Sequence, residues 1–164
     1  WQWDVLYAMS RHRKSKEALP RTLFDRLFAA KNFQVGLKII RQLGFLLFDL
    51  RMHSQENRPW MDIYREIQRQ LSVLPQADYD RFPHAFTHIF SGGYAAGYYS
   101  YLWAEVLSAD AYDLFRRTED RTKVGQRFWQ EVLSRGGSRP AYQSFVAFVG
   151  REPKTEALLE QLGL

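Results

Sequence analysis

The chain has 164 residues and a net charge of +5, and 46% of its residues are hydrophobic. This length fits about one domain of roughly 100–200 residues, and the composition is that of a globular chain that buries a core. The sequence contains no cysteine, which excludes disulfides, thiol catalysis and a cysteine-type zinc site, and fits a cytoplasmic location. Its apolar runs are far shorter than the roughly 20 residues that cross a bilayer, so no membrane span is predicted.

Apolar residues recur every three or four positions along almost the whole chain, which predicts helices. A short first helix ends near Ser10, and Pro20 opens a second. Asn32 is predicted to cap a long third helix. A fourth helix begins at Pro59 and is closed by Pro75. The first half of the chain is therefore predicted to be helical, with prolines marking several helix ends.

The second half shows the same periodicity, interrupted by the glycine pairs Gly92-Gly93 and Gly136-Gly137. The predicted helices here cover residues 84–90, a long stretch through Tyr101 and Leu107 to about Phe115, residues 122–134, a segment that starts at Pro140, and Thr155 to Leu162. No segment alternates with a period of two, so no sheet is predicted. The predicted fold class is all-α, a helical bundle.

Basic residues cluster over residues 11–16, between two apolar stretches and before Pro20. Such a cluster is typical of a solvated loop, and it also occurs in phosphate-binding patches. The later helices carry mixed charges, which argues against one continuous basic face. A solvated loop is the favoured interpretation.

Two histidines, His84 and His88, are four residues apart, so one helix would place both on the same face. The zinc-binding helix motif His-Glu-x-x-His needs a glutamate directly after its first histidine as general base. Ala85 occupies that position here. The favoured interpretation is a pair of polar residues that meets a cleft or packs through hydrogen bonds.

Residues 92–101 hold three glycines and four tyrosines in the run Gly-Gly-Tyr-Ala-Ala-Gly-Tyr-Tyr-Ser-Tyr. If this run is helical or nearly so, Tyr94, Tyr98 and Tyr101 share one face. A neutral phenol can stabilise the negative charge that develops on a carbonyl oxygen when water attacks it. The run fits a peptide clamp or a tyrosine-rich core stripe. The cost of glycine inside a helix slightly favours the clamp.

The stretch from Phe82 to Leu107, with its Gly-Gly-Tyr and Tyr-Leu-Trp elements, resembles the substrate-binding segment of the thimet oligopeptidase/oligopeptidase A family of zinc metallopeptidases. The bacterial branch is the most similar. Residues 29–33, 41–43, 135–138 and 150–153 also resemble this family, so the resemblance covers essentially the whole chain. It implies that residues 1–164 are the C-terminal part of the larger two-lobed catalytic domain of a zinc oligopeptidase.

The resemblance also implies roles for single residues. His88 matches a histidine that hydrogen-bonds substrate near the zinc, and Tyr94 and Tyr101 match phenols that bind substrate and stabilise the oxyanion. Tyr98 matches an accessory substrate contact. The matching glycines belong to a flexible loop that moves when substrate binds: Gly92, Gly93 and Gly97.

The family holds its zinc through the two histidines of His-Glu-x-x-His and a later glutamate, and Trp1 resembles the segment just after that glutamate. We therefore expect the zinc ligands and the general base upstream of Trp1, in a longer parent protein. The chain alone is expected to hold no metal and to be inactive. Its expected partners are oligopeptide substrates and the rest of the peptidase polypeptide, with no nucleic acid and no membrane.

Two other hypotheses stay open at this point. The chain could be a non-catalytic helical module that binds peptides through its tyrosine- and glycine-rich segment. It could also be a basic helical nucleic-acid-binding domain that uses residues 11–16, in which case its affinity would depend on salt.

Overall fold

The computed structural model describes residues 1–54 and 57–164. All regular secondary structure in these residues is helical, which confirms the predicted all-α fold. The α-helices are α1 (Trp3–Met9), α2 (Arg21–Asn32), α3 (Val35–His53), α4 (Trp60–Leu71), α5 (Thr87–Phe90), α6 (Ser100–Arg117), α7 (Arg121–Phe128), α8 (Ala141–Val149) and α9 (Glu156–Leu162). Shorter 3₁₀ turns cover Phe82–Ala85 and Gly136–Ser138, and a π turn covers Trp129–Leu133. None of the described helices combines the length and the apolar character needed to span a membrane.

Proline and glycine set several of the helix ends. Pro20, Pro59 and Pro140 stand directly before α2, α4 and α8. The fixed φ of proline suits this position, where the chain enters the helix from an extended conformation. Gly150 ends α8 with a φ of 86°, in the left-handed region that glycine adopts without strain. The punctuation predicted from the sequence is confirmed at these ends.

Three predicted boundaries were wrong. The fourth helix ends at Leu71, four residues before Pro75. Asn32 is the last residue of α2 and does not cap α3, which begins at Val35 after a left-handed turn at Gln34. Residues 84–90 are not one helix, because the backbone leaves helical geometry at Phe86, where ψ is 67°. The side chain of Phe86 is buried in the core, and this break separates the 3₁₀ turn from α5.

The described chain consists of two compact units, residues 1–39 and residues 40–164. In the first unit, the Trp3 ring packs edge-on against Phe24 with ring centroids 5.4 Å apart, and the Arg21 guanidinium lies over Trp3. Residues 11–16 form an exposed loop between α1 and α2, as the favoured interpretation predicted. The assignment of residues 1–164 to a single catalytic domain stays a prediction.

The second unit contains two hydrophobic cores. The first lies among α3, α4, α5 and the 3₁₀ turn at Phe82–Ala85, and its buried members are Phe45, Phe48, Ile63, Tyr64, Ile67, Phe86 and Ile89. The second joins α8 to α6 and α7 through Phe145, Phe148 and Val149. Tyr98 packs against the first core, with its ring centroid 5.9 Å from Phe45 and 5.2 Å from Phe86. The first core therefore supports the segment that carries the predicted site residues.

A buried ion pair holds the middle of α6 to the chain before α9. Asp110 is 1% exposed, and both its oxygens accept hydrogen bonds from Arg151, at 2.6 and 2.7 Å. Its Oδ2 atom also accepts the Lys154 backbone N–H at 2.8 Å. Hydrogen bonding by Arg151 lowers the pKa of Asp110, so this carboxylate is ionised at neutral pH.

Candidate active site

The segment between α5 and α6 is a series of turns and not a continuous helix. The Gly92 N–H donates to the Thr87 carbonyl at 2.8 Å, and the Tyr94 N–H donates to the His88 carbonyl at 3.1 Å. The Gly97 N–H in turn donates to the Tyr94 carbonyl at 2.8 Å. These bonds fold the segment back over the end of α5. The tyrosines are thus brought together by turns and by the start of α6, whereas the predicted shared face assumed that the whole run is helical or nearly so.

The structural need for glycine differs among the three glycine positions of this segment. A Cβ atom at Gly92 would lie 2.8 Å from the His88 carbonyl oxygen and 2.9 Å from its Cα, both of them backbone atoms. Gly93 has a φ of 80°, which other residues adopt only with strain. A Cβ at Gly97 would lie 3.4 Å from the Tyr94 carbonyl oxygen. Of these three positions, only Gly92 is one where a Cβ atom would clash with the backbone. At Gly93 the positive φ favours glycine.

The four aromatic residues predicted as site residues form one cluster. Tyr94 and Tyr101 stack with ring centroids 5.1 Å apart and an angle of 24° between their planes. The His88 ring lies 6.3 Å from Tyr94 and 6.4 Å from Tyr101. The Tyr98 ring lies 5.2 Å from Tyr101. The geometry therefore brings together residues that are up to 13 positions apart in the chain.

The hydroxyl groups of this cluster have different partners. The Tyr98 hydroxyl donates to Oε1 of Gln42 at 3.0 Å, and burial raises the pKa of Tyr98. A hydrogen bond with the Tyr94 hydroxyl raises the pKa of Tyr101. A bond that raises the pKa of a phenol stabilises its protonated form. Both Tyr98 and Tyr101 are therefore neutral hydrogen-bond donors at pH 7.

The cluster is accessible on one side. Tyr101 is 41% exposed, and His88 at the end of the neighbouring helix is also exposed. Tyr94 and Tyr98 are partly buried beneath them. A ligand that approaches from solvent would therefore meet one imidazole and two phenols, of which Tyr101 is the most exposed.

His84 does not belong to this cluster. It lies in the 3₁₀ turn, separated from α5 by the break at Phe86, and its ring packs edge-on against Trp60 at 4.5 Å. Its Nδ1 atom is 3.3 Å from the Arg81 carbonyl oxygen. The premise that one helix carries both histidines is therefore wrong. Within residues 1–54 and 57–164, no three His, Cys, Asp or Glu side chains lie close enough together to hold a metal ion.

Two residues that contact this segment were missed by the sequence prediction. Gln42 accepts the Tyr98 hydrogen bond, and Asp49 accepts the backbone N–H groups of Ala96 and Tyr98, each at 2.9 Å. The available signal for Asp49 was its place as an acidic residue inside the apolar run of α3, where a charge needs a partner. Gln42 carried no comparable signal.

Comparison with known proteins supports the resemblance over the whole chain. A family model described as "Peptidase family M3" matches residues 1–164. The chain is 46% identical over 169 residues to "Oligopeptidase A" of Salmonella typhimurium and 45% identical over 169 residues to "Oligopeptidase A" of Escherichia coli, which covers 100% of this chain and 25% of either protein. It is also 41% identical over 170 residues to "Probable cytosolic oligopeptidase A" of Arabidopsis thaliana, covering 98% of this chain and 24% of that protein.

The chain thus spans about a quarter of the length of these relatives. The chain belongs to peptidase family M3.

Proposed function

We propose that this chain supplies the substrate-binding and oxyanion-stabilising side of the active site of a metallopeptidase that hydrolyses peptide bonds in short oligopeptides. The proposal is supported by membership of peptidase family M3 and by relatives that are named oligopeptidases. Tyr101 and Tyr94 donate hydrogen bonds to the carbonyl oxygen that becomes negative when water attacks. His88 binds substrate beside them, and Tyr98 makes an accessory contact.

The observation that carries this proposal is the stacked pair of Tyr94 and Tyr101 beside His88. Two phenols whose hydroxyls already meet can both turn towards one ligand oxygen. Donors whose rings are already held side by side need only rotate their hydroxyl groups to stabilise a developing charge, and such positioned donors are a major source of oxyanion stabilisation. A phenol with an ordinary pKa of 10.0 is protonated at neutral pH, and the pKa of Tyr101 is raised further, so Tyr101 has a proton to donate.

The zinc implied by the family resemblance does not fit the residues that the structure describes. The described residues contain no cluster of three metal-binding side chains, and His84 and His88 lie in separate elements. We propose that the zinc ligands and the general base come from the rest of the peptidase polypeptide. Residues 1–164 alone are then expected to be inactive. A cytoplasmic location also stays a prediction.

The experiment that tests the proposal is Tyr101→Phe in the full-length protein, assayed with a fluorogenic oligopeptide. Loss of one oxyanion donor is expected to lower kcat by about 10²-fold, with a smaller effect on KM. Tyr112→Phe is a matched control, because Tyr112 lies on the same helix with 40% exposure and packs on Phe115, away from the cluster. This control is expected to keep the wild-type kcat.

The same experiment separates the proposal from a non-catalytic peptide-binding module. A full-length protein that binds the peptide without cleaving it would support the binding module. Cleavage with an unchanged kcat in Tyr101→Phe would remove Tyr101 from the chemistry.

A further inference from the structure

A buried carboxylate lies under the turn segment that carries the tyrosines. Asp49 is 0% exposed and follows Phe48, which is equally buried, in α3. An ionised carboxylate in such surroundings is costly unless hydrogen bonds compensate for the lost water. The hydrogen-bond partners of Asp49 therefore indicate its structural role.

Two of these partners belong to the turn segment, 47 and 49 positions further along the chain. The Ala96 N–H donates to Oδ1 of Asp49 and the Tyr98 N–H donates to Oδ2, each at 2.9 Å. One carboxylate thus binds two backbone groups that are two residues apart. This arrangement fixes the backbone between them, because neither peptide group can turn without losing a bond to a buried charge.

The turn has a strained residue at this point. Ala96 has a φ of 52°, a left-handed conformation that costs an L-residue about 1–2 kcal/mol. Such strain persists only where the surroundings hold it in place. The bond from the Ala96 N–H to Asp49 is the contact that does so.

The third partner of Asp49 is on its own helix. Nδ1 of His53, one turn later in α3, lies 2.9 Å from Oδ1 of Asp49. The same nitrogen lies 2.9 Å from the backbone carbonyl oxygen of Asp49, so His53 contacts both the side chain and the main chain of this residue.

The clamped backbone connects directly to the tyrosine pair. The Gly97 N–H donates to the Tyr94 carbonyl at 2.8 Å, and the Gly97 carbonyl accepts the Ser100 N–H at 3.1 Å, where α6 begins. Tyr94 therefore precedes the clamped residues and Tyr101 follows them. One backbone hydrogen bond of Gly97 connects the clamped backbone to Tyr94, and the other connects it to the start of α6. A shift of the clamped backbone would move both rings.

We propose that Asp49 is a positioning residue for the reaction assigned to this site: it clamps the backbone at Ala96 and Tyr98 and thereby holds Tyr94 and Tyr101 in register for one substrate oxygen. This inference rests on the proposed function for its catalytic consequence. The clamp itself is a property of the fold and can be tested separately.

The first test is hydrogen–deuterium exchange of the full-length protein. The Ala96 and Tyr98 amides are expected to be protected, although the residues around them are exposed at the surface. In Asp49→Asn, the amide nitrogen of the new side chain faces one of the two N–H donors, so peptides covering residues 94–99 are expected to exchange faster. Asp110→Asn replaces an equally buried carboxylate in the same unit and is expected to leave residues 94–99 protected. Rapid exchange of these residues in the wild-type protein would overturn the clamp without any variant.

The second test is a kinetic double-mutant cycle with Asp49→Asn and Tyr101→Phe. A displacement of about 1 Å at a catalytic group costs up to about 10²-fold in rate, so kcat of Asp49→Asn is expected to fall towards that limit while KM changes less. If Asp49 acts through the tyrosine pair, the double variant loses much less than the product of the two single losses.

Multiplied losses in the double variant would mean that Asp49 affects kcat independently of the tyrosine pair, which would overturn the inference. Asp110→Asn is expected to lower stability and to leave kcat unchanged. A normal kcat in Asp49→Asn beside a lowered kcat in Tyr101→Phe would overturn the inference and leave the proposed function standing. An unchanged kcat in Tyr101→Phe would instead remove the proposed role of Tyr101, while the exchange data would still decide whether the clamp exists.

Discussion

The tightest backbone contact of the candidate site is at Gly92, and it makes a quantitative prediction. A Cβ added there would lie 2.8 Å from the His88 carbonyl oxygen, where an ordinary contact begins at 3.4 Å. In Gly92→Ala the chain must therefore open by roughly half an ångström between His88 and Gly92, and no flexible side chain is available to absorb this. The Tyr94 N–H is bonded to the His88 carbonyl oxygen. Displacing this oxygen would therefore also change the position of Tyr94 relative to His88.

We expect Gly92→Ala to lower the free energy of unfolding by about 1–3 kcal/mol, as overpacking does. We also expect kcat to fall by about 10-fold or more, since displacements of this size at catalytic groups reduce rates strongly. The assay is peptide hydrolysis by the full-length protein, combined with urea unfolding to measure stability. Both quantities are needed, because a loss of stability alone would leave the kcat of the folded fraction unchanged.

Two other glycines provide graded controls. Gly137 has open space where its Cβ would stand and no positive φ, so Gly137→Ala is expected to be nearly silent in both assays. Gly93 also has open space but a φ of 80°, so Gly93→Ala is expected to cost about 1–2 kcal/mol of backbone strain without a clash. A Gly92→Ala variant that behaves like Gly137→Ala would refute the turn geometry from which this prediction is derived.

Two further predictions concern the tyrosine hydroxyls. Tyr98→Phe leaves the partly buried Gln42 amide oxygen without its donor, so we expect the free energy of unfolding in urea to fall by about 1 kcal/mol. We expect kcat to fall less than in Tyr101→Phe. An equal loss of kcat would indicate that the Tyr98 hydroxyl contacts substrate. The raised pKa of Tyr101 means that its stabilising contribution is complete below its ordinary value of 10.0 and is lost as the pH rises through the higher pKa of the folded protein. The difference in phenolate absorbance between wild type and Tyr101→Phe should therefore have its midpoint above pH 10.0, and a midpoint below that value would contradict the bond to Tyr94.

The sequence predicted the features that depend on local pattern. Apolar periodicity located the helices, and prolines such as Pro20, Pro59 and Pro140 marked where three of them begin. The run from Gly92 to Tyr101 identified the segment in which the aromatic cluster forms. These predictions succeeded because side-chain periodicity and backbone restriction act over a few residues, which is the range that a single sequence reveals.

The features that depend on distant contacts were not predictable in this way. The break at Phe86 separates His84 from His88 because the Phe86 ring enters a core built from α3 and α4. The spacing of the two histidines in the sequence does not indicate that such a core exists. The partnership of Asp49 with Ala96 likewise joins residues 47 positions apart. A buried acid in an apolar helix signals that some partner exists, but its identity follows only from the fold.

The free-energy cost of replacing a hydroxyl hydrogen bond of the cluster by a hydrogen bond to a ligand differs between the two bonds. The bond between Tyr101 and Tyr94 lies at the exposed side of the cluster. Replacing it by bonds from both phenols to a substrate carbonyl leaves neither hydroxyl without a partner, so the exchange costs little. The bond from Tyr98 to Gln42 is partly buried, and breaking it would leave Gln42 unsatisfied away from water. Tyr94 and Tyr101 are therefore the donors that can turn to a substrate at low cost, and Tyr98 is the one that holds the turn segment against the first core while they do so.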